Sequence, residues 1–242
     1  MPERLTRSSL TDELRSQFNL EKGLLKTAVD LTVRPATMLL SYLDGTERSK
    51  YVGVVAYFLL SISVTLGLDA ALGVDDEFVE YQKSESGGLE GTNITDEEYW
   101  AFEETINRHT HYVIYLYVPI AALVTWGFFR FWGLSYLENF VINAFVIAHL
   151  EIIGVPLFLT VLLLPIELAV DVNGVLSFII LITYLCYVYF LLSQNYRQAY
   201  PIRNITRSVA VSTFQLITLV AVSVLAIVAV YVGYGVWRNL TG

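Results

Sequence analysis

Three ionisable side chains, Glu138, His149 and Glu151, stand in or at the edge of an apolar stretch that covers residues 137–166. About 20 apolar residues suffice to cross a bilayer, and an ionisable group within that length is costly and often functional. Buried carboxylates and imidazoles can exchange protons near physiological pH. The pattern therefore predicts either a proton or cation path or a set of structural hydrogen bonds to neighbouring helices.

The depth of these residues along the helix, rather than the helical face that they occupy, divides them into two candidate sites. Positions 138 and 149 return to nearly the same face of a helix, whereas Glu151 points to another face. At about 1.5 Å per residue, Glu151 lies roughly 20 Å beyond Glu138. We assign His149 and Glu151 to a candidate intramembrane polar site. Gln215, in the last apolar segment, is included as an available hydrogen-bond donor.

The second candidate site is a polar cluster at the cytoplasmic edge, formed by Arg130, Glu138 and Arg197. Glu138 is expected to pair with Arg130 or with an arginine that follows the fourth apolar segment, as an orientation or interface group. An alternative is that the cluster recruits a phosphorylated lipid headgroup to a membrane-embedded enzyme.

The remaining motifs predict no chemistry. His109 and His111 lie near two glutamates, but helical neighbours two apart face different ways, so no metal site is expected. The single cysteine, Cys186, excludes a disulfide framework and a cysteine-based metal site. No nucleophile elbow, phosphate loop or metalloprotease helix occurs. We therefore predict a protein that is not an enzyme and takes no cofactor.

The composition is that of an integral membrane protein. Of the 242 residues, 55% are hydrophobic and 16% are charged, whereas soluble domains carry roughly a quarter charged residues. The net charge of −8 comes largely from one segment, 74–111, which contains eleven acidic residues. A basic surface for nucleic acid is absent. We predict an all-α membrane helical bundle surrounded by the lipid bilayer, with no nucleic-acid partner.

Five apolar segments are long enough to cross a bilayer, which predicts five transmembrane helices in a membrane domain of residues 51–242. The predicted spans are about 51–73, 112–131, 137–166, 172–194 and 208–236. The acidic segment 74–111 forms the loop between the first two spans, and residues 167–173 form a short turn between the third and fourth.

The distribution of basic residues predicts the orientation, because cytoplasmic loops accumulate lysine and arginine. With the N-terminus inside, twelve of the fifteen basic residues fall on the cytoplasmic side. The reverse orientation inverts this split. We therefore predict a cytoplasmic N-terminus, an extracytoplasmic C-terminus and an extracytoplasmic acidic loop.

Residues 1–50 form the predicted cytoplasmic region, which contains amphipathic helices. Leu20, Leu24, Ala28 and Leu31 recur at helical spacing. The break at Arg34-Pro35 ends this helix, because the residue before a proline avoids the helical conformation, and a second short helix then covers 36–43. Two interpretations are compatible: the helices lie in the headgroup plane, or they pack against the spans as a structural collar.

The segment before the first span resembles an uncharacterised family of bacterial multi-span inner-membrane proteins. It reads Arg34-Pro35-x5-Tyr42-Leu43-Asp44-Gly45-x2-Arg48-x-Lys50-Tyr51. The segments Tyr136-Leu-Glu-Asn139 and Asn195-Tyr-Arg-x2-Tyr200 look similar as well, so the resemblance covers most of the chain. Many members carry an N-terminal Cys-x-x-Cys zinc ribbon, which this chain lacks. The resemblance implies a bacterial inner (plasma) membrane location and no established activity.

Two functional hypotheses follow. The first is a non-enzymatic multi-pass membrane protein that acts as a scaffold, assembly factor or accessory subunit, with a protein partner or a homo-oligomer. The second is a small ion- or proton-coupled transporter or channel that uses Glu151 and His149. The two hypotheses differ in whether these side chains face a hydrated cavity or neighbouring helices.

Overall fold

The computed structural model is helical in every regular element that it describes. It describes residues 20–73, 100, 117–129, 133–161, 163–196, 206, 208–222 and 224. These ranges contain seven α-helices, α1 Leu20–Val33, α2 Pro35–Leu43, α3 Val54–Leu72, α4 Tyr117–Phe129, α5 Tyr136–Val161, α6 Ile166–Tyr196 and α7 Ser208–Val222, and a short 3₁₀-helix, Arg48–Lys50, before α3. The predicted all-α class is confirmed at this level.

Three helical segments are long and apolar enough to cross a membrane: Arg48–Leu72, Tyr136–Leu157 and Val172–Asn195. They coincide with the first, third and fourth predicted spans. The helices α4 and α7 are apolar but shorter, and they fall within the second and fifth predicted spans. The other parts of those two spans, and the acidic loop apart from residue 100, lie outside the described residues.

Two predicted boundaries are wrong. The third span was expected to continue to residue 166, but α5 ends at Val161, and the chain turns before Pro165. The predicted turn at 167–173 is helical, because α6 begins at Ile166. Pro165 accounts for the shift: it disfavours helical geometry at Leu164, and its own carbonyl accepts the amide of Ala169 at 2.9 Å to start α6.

Helix α5 is surrounded by the other helices over its first half. Every residue from Ile142 to His149 is buried. Phe145 is fully buried, with its ring 4.9 Å from that of Tyr42 in α2 and 5.8 Å from that of Tyr57 in α3. Aromatic pairs of this kind typically contribute about 0.5–1.5 kcal/mol beyond the area that they bury. The polar residues of α5 are therefore positioned by packing on several sides.

Helices α1 and α2 form a hairpin that packs into the bundle. Pro35 stands at the first position of α2 and separates the two helices at Arg34. Helix α1 contacts α5, and α2 contacts α6. We call residues 20–43 the N-terminal hairpin and residues 31–35 its apex. These contacts correspond to the interpretation in which the N-terminal helices pack against the spans.

The open end of the N-terminal hairpin is closed by a tight backbone contact. A Cβ atom at Gly23 would lie only 2.7 Å from the carbonyl oxygen of Lys50, so only glycine fits there. The amide of Val52 donates to the hydroxyl of Thr27 at 3.1 Å. The start of α1 therefore runs beside the segment that leads into α3.

The turn after α2 satisfies its own polar groups. Arg48 donates to the carbonyl oxygens of Tyr42 and Leu43, which are at the end of α2 and lack helical partners. Gly45 has a φ of +84°, a conformation that other residues rarely adopt. Hydrogen bonds from the hydroxyl and amide of Thr46 hold the pKa of Asp44 below its usual value. The residues of the Tyr-Leu-Asp-Gly segment thus build a defined turn.

Candidate functional site

His149 of α5 lies where three other helices, α1, α3 and α6, contact α5, and it is 1% exposed. Its Nδ1 is 2.7 Å from the hydroxyl of Tyr57 in α3, and its Nε2 is 2.9 Å from the hydroxyl of Thr32 at the apex of the N-terminal hairpin. The ring of Tyr184 in α6 packs beside the imidazole at 5.4 Å. Both ring nitrogens are therefore used in contacts between helices.

The hydrogen-bond partners of these hydroxyls determine the tautomer of His149. In the part of the chain that the structure describes, the buried hydroxyl of Tyr57 meets no acceptor other than His149, so it donates to Nδ1. The Nε2 atom then carries the proton and donates to Thr32, whose own hydroxyl donates to the carbonyl oxygen of Ala28 at 2.9 Å. The imidazole is therefore neutral, and each donor in this series of hydrogen bonds, from Tyr57 through His149 to Thr32, has an acceptor.

Two tyrosines of α6 complete the attachment of the hairpin apex. Tyr184 donates to the carbonyl oxygen of Leu31 at 3.1 Å, and Tyr187 donates to that of Val33 at 2.8 Å. These carbonyls belong to the last turn of α1, where the helix supplies no backbone donors. Three consecutive residues of the apex, Leu31, Thr32 and Val33, are thus each bonded to α5 or α6.

Glu151 takes part in a separate contact. Its carboxylate accepts a hydrogen bond from the hydroxyl of Thr65 in α3 at 3.2 Å, and the residue is only partly buried. His149 and Glu151 are thus near one another in sequence but are bonded to different residues of α3, Tyr57 and Thr65. The predicted intramembrane site is divided between them.

Gln215 belongs to a third set of contacts, centred on Asn143. The Oδ1 atom of Asn143 accepts hydrogen bonds from the Gln215 amide and from the Tyr189 hydroxyl, each at 2.8 Å. The Asn143 amide nitrogen donates to the hydroxyl of Thr125 at 2.8 Å. These four side chains are 1% exposed or less and connect α4, α5, α6 and α7. The Gln215 amide is thus bonded to Asn143 and Tyr189, so the structure groups it differently from the sequence-based prediction.

Glu138 is a helix cap. Its carboxylate accepts from both the amide and the hydroxyl of Ser135 at 2.7 Å, and the Glu138 amide is 3.2 Å from that hydroxyl. This reciprocal arrangement is the capping box, in which a serine and a glutamate three residues later satisfy each other's backbone donors. The Ser-x-x-Glu spacing at 135–138 was the sequence signal. Arg130 and Arg197, its predicted partners, lie outside the described residues.

A charged row on α1 was not singled out from the sequence. The carboxylate of Asp30 accepts from Lys26 at 2.8 Å, from Arg34 at 2.9 and 3.1 Å, and from the Tyr51 hydroxyl at 3.0 Å. We call Lys26, Asp30 and Arg34 the α1 charged triad. Their spacing of four residues places them on one helical face, and this spacing was the available signal.

The hydrogen bonds that these polar groups already make limit the reactions in which they can take part. Among the described residues, each buried side-chain nitrogen or oxygen atom has a hydrogen-bond partner, and no group of three or more His, Cys, Asp or Glu side chains is placed to hold a metal ion. A cavity between α3, α4 and α5 measures about 170 Å³ and is lined by apolar side chains: Val54, Val55, Phe58, Leu59, Val118, Phe140 and Ala144.

Comparisons with known proteins return no match to a family model, to a curated protein or to a solved structure. We therefore infer function from the geometry of the polar groups.

Proposed function

We propose that this chain is a non-enzymatic multi-pass membrane protein that acts as a scaffold, assembly factor or accessory subunit. The observation that carries the proposal is the state of His149, the strongest candidate for chemistry in the sequence. Its two nitrogens join α5 to α3 and to the N-terminal hairpin, at 2.7 and 2.9 Å. A proton carrier needs a nitrogen that can exchange with solvent, and here both are used between helices.

The contacts around Asn143 support the same proposal. Four buried polar side chains from four helices are bonded to one another, and each hydrogen bond between membrane helices typically contributes about 1 kcal/mol. Polar groups inside the bundle therefore serve to join helices. A bundle joined in this way offers a stable lateral surface to a partner protein or to a second copy of the chain.

We place this scaffold in a bacterial inner membrane, with five spans, a cytoplasmic N-terminus and an extracytoplasmic C-terminus. The three long apolar helices and the two shorter ones support this arrangement. The excess of basic residues before the first span supports the orientation.

Ion- or proton-coupled transport through Glu151 and His149 is the second candidate. The observation in its favour is that Glu151 is only partly buried while its carboxylate reaches Thr65 on α3. An ionisable group in that position is a functional candidate in any membrane bundle.

The two candidates are separated by flux measurements and by partner recovery from the same membranes. We expect purified protein in liposomes to show no pH-dependent ion flux, and Glu151→Gln and Thr65→Val to match the parent. Cross-linking before extraction should recover a fixed partner or a homo-oligomer. Flux that Glu151→Gln abolishes while Thr65→Val retains it would establish transport instead. Recovery of the single chain alone would contradict the scaffold.

A further inference from the structure

The apex of the N-terminal hairpin lies at the middle of two long apolar helices. His149, which binds Thr32, is the fourteenth of the 22 residues in the segment Tyr136–Leu157. Tyr184, which binds Leu31, is the thirteenth of the 24 residues in Val172–Asn195. Two independent helices thus place the apex at the same level, far from either end of the apolar segments.

The open end of the hairpin lies at a different level. Gly23 is against Lys50, at the start of the apolar segment Arg48–Leu72, and the turn from Asp44 to Glu47 is exposed or partly exposed. From Gly23 to Thr32 a helix rises about 14 Å, which is close to half of the roughly 30 Å thickness of the hydrocarbon layer. The hairpin therefore has the dimensions of a re-entrant element that enters and leaves the membrane on the same side.

The break between α1 and α2 fits this position. A non-helical backbone is tolerated at membrane depth only where protein groups satisfy it. The tyrosine hydroxyls of α6 supply donors to the carbonyls of Leu31 and Val33 on the two sides of Thr32. The apex is thus protected in the way that such a depth requires.

The α1 charged triad follows the hairpin toward the apex and has an excess of positive charge. Asp30 is 8% exposed in its side chain, whereas Lys26 and Arg34 are 38% and 53% exposed. Asp30 uses two of the five N–H groups of Arg34 and one of the three of Lys26. The remaining hydrogen-bonding capacity of the two cations consists of donors only. The triad and the neighbouring Glu47–Lys50 ion pair together carry a net charge of +1.

An exposed apolar row runs beside the triad. Leu25, Val29 and Val33 are 78%, 49% and 66% exposed. Val29 and Val33 lie three residues after Lys26 and Asp30, so the two rows are neighbours on the surface of α1. Together they present cationic donors next to a surface suited to hydrocarbon.

We propose that the N-terminal hairpin is re-entrant and that Lys26 and Arg34 bind the phosphate of an anionic phospholipid beside it. The phosphodiester oxygens accept hydrogen bonds from the guanidinium and the ammonium, and the anionic headgroup balances the +1 charge. Asp30 holds the ammonium of Lys26 and the guanidinium of Arg34, and the Tyr51 hydroxyl joins Asp30 to Glu47 in the exposed turn, so the headgroup lies on the side of that turn. The acyl chain runs from there toward the apex, along Val29 and Val33. This site is independent of the scaffold function.

Native mass spectrometry of the purified full chain tests the lipid site. The protein is incubated with phosphatidylglycerol or phosphatidylcholine in detergent. We expect retention of phosphatidylglycerol, and about a tenfold loss of that retention in Arg34→Gln. Arg48→Gln is the control, because Arg48 is exposed and its guanidinium donates to the carbonyl oxygens of Tyr42 and Leu43 rather than to a carboxylate. It removes the same charge without a contact to the triad and should retain the lipid.

Several outcomes would overturn the lipid site. They are equal retention in Arg34→Gln and the parent, equal loss in Arg48→Gln, or displacement of the lipid by inorganic phosphate at the same concentration. A protein of fixed mass that replaces the lipid and is lost in Arg34→Gln would assign the triad to a partner helix. If Arg34→Gln does not fold, Arg34→Lys replaces it. Lysine keeps the charge but lacks the planar fork, so reduced retention is expected, and undiminished retention would contradict the guanidinium contact.

Spin labels test the re-entrant geometry without changing the triad. Single cysteines at Leu25, Val29 and Val33 are introduced after Cys186→Ser, which removes the only native thiol. In phosphatidylglycerol vesicles, accessibility to oxygen relative to a water-soluble relaxation agent should rise from 25 to 33. Equal values at the three positions would show that α1 lies parallel to the membrane surface.

Discussion

The hydroxyl of Tyr184 donates to the carbonyl oxygen of Leu31 at 3.1 Å, and this is the carbonyl that Pro35 leaves without a backbone donor. In a continuous helix the amide of residue 35 would bond to it, but proline has no N–H. The preceding carbonyl, that of Asp30, still accepts the Arg34 amide at 2.9 Å. A tyrosine 153 positions away in the chain thus compensates for the break that forms the hairpin.

Removing this hydroxyl tests its contribution to stability. We expect Tyr184→Phe to lower the free energy of unfolding by about 1–2 kcal/mol, because it leaves the Leu31 carbonyl without a partner while keeping the ring beside His149. Tyr187→Phe is the matched control, since its bond to Val33 is exposed, and it should cost less. Unfolding by sodium dodecyl sulfate in mixed micelles measures both. A larger loss from Tyr187→Phe would contradict the argument.

The contacts around Asn143 predict an order of stabilities. Asn143→Leu should cost about 3 kcal/mol, because the buried Tyr189 hydroxyl loses its acceptor, and Gln215 and Thr125 each lose one of their hydrogen bonds. Gln215→Met should cost less, since Tyr189 still donates to Asn143. Thr218→Val, on the same helix as Gln215, removes only a bond within α7 and should change stability by less than about 0.5 kcal/mol. The same unfolding assay ranks the three, and equal effects would exclude a central role for Asn143.

One conservative substitution distinguishes a capping role of Glu138 from a role in an ion pair. Glutamine also serves in a capping box, so Glu138→Gln should be nearly neutral, whereas Glu138→Ala should cost about 1 kcal/mol. Hydrogen exchange at the Ser135 amide, which donates to the Glu138 carboxylate, should be accelerated only by the alanine variant. Equal acceleration by both would indicate that the negative charge, and hence a cationic partner, is what matters.

The tautomer of His149 is directly observable. Replacing His109 and His111 with glutamine leaves one imidazole in the chain. Its ¹⁵N resonances should show a protonated Nε2 and an unprotonated Nδ1. In Tyr57→Phe, the Nδ1 resonance should move most, because that nitrogen loses its donor. A proton on Nδ1 in the parent would reverse both hydrogen bonds of the imidazole, so that Nδ1 donates to Tyr57 and Thr32 donates to Nε2 instead of to the Ala28 carbonyl.

Some features of the site were readable from the sequence. Glu138 and Ser135 are three residues apart, so their capping box is a local pattern. The polar positions in the apolar stretch stood out because such groups are rare in membrane helices. Their partners were not readable: His149 is bonded to residues 117 and 92 positions away, and Gln215 to a residue 72 positions away. Many polar side chains of the chain could have satisfied the same atoms.

By itself, the sequence determined the helical membrane class, the break at Arg34-Pro35 and the positions of the buried polar groups, because hydropathy and proline geometry act locally. Only the tertiary structure decided that the segment before α3 folds into the bundle as a hairpin. It also decided that His149 holds the apex of this hairpin and that Gln215 belongs to Asn143. The physical reason is that a buried polar atom needs a partner of the right kind at about 3 Å, and which distant residue comes to that distance depends on how the helices pack.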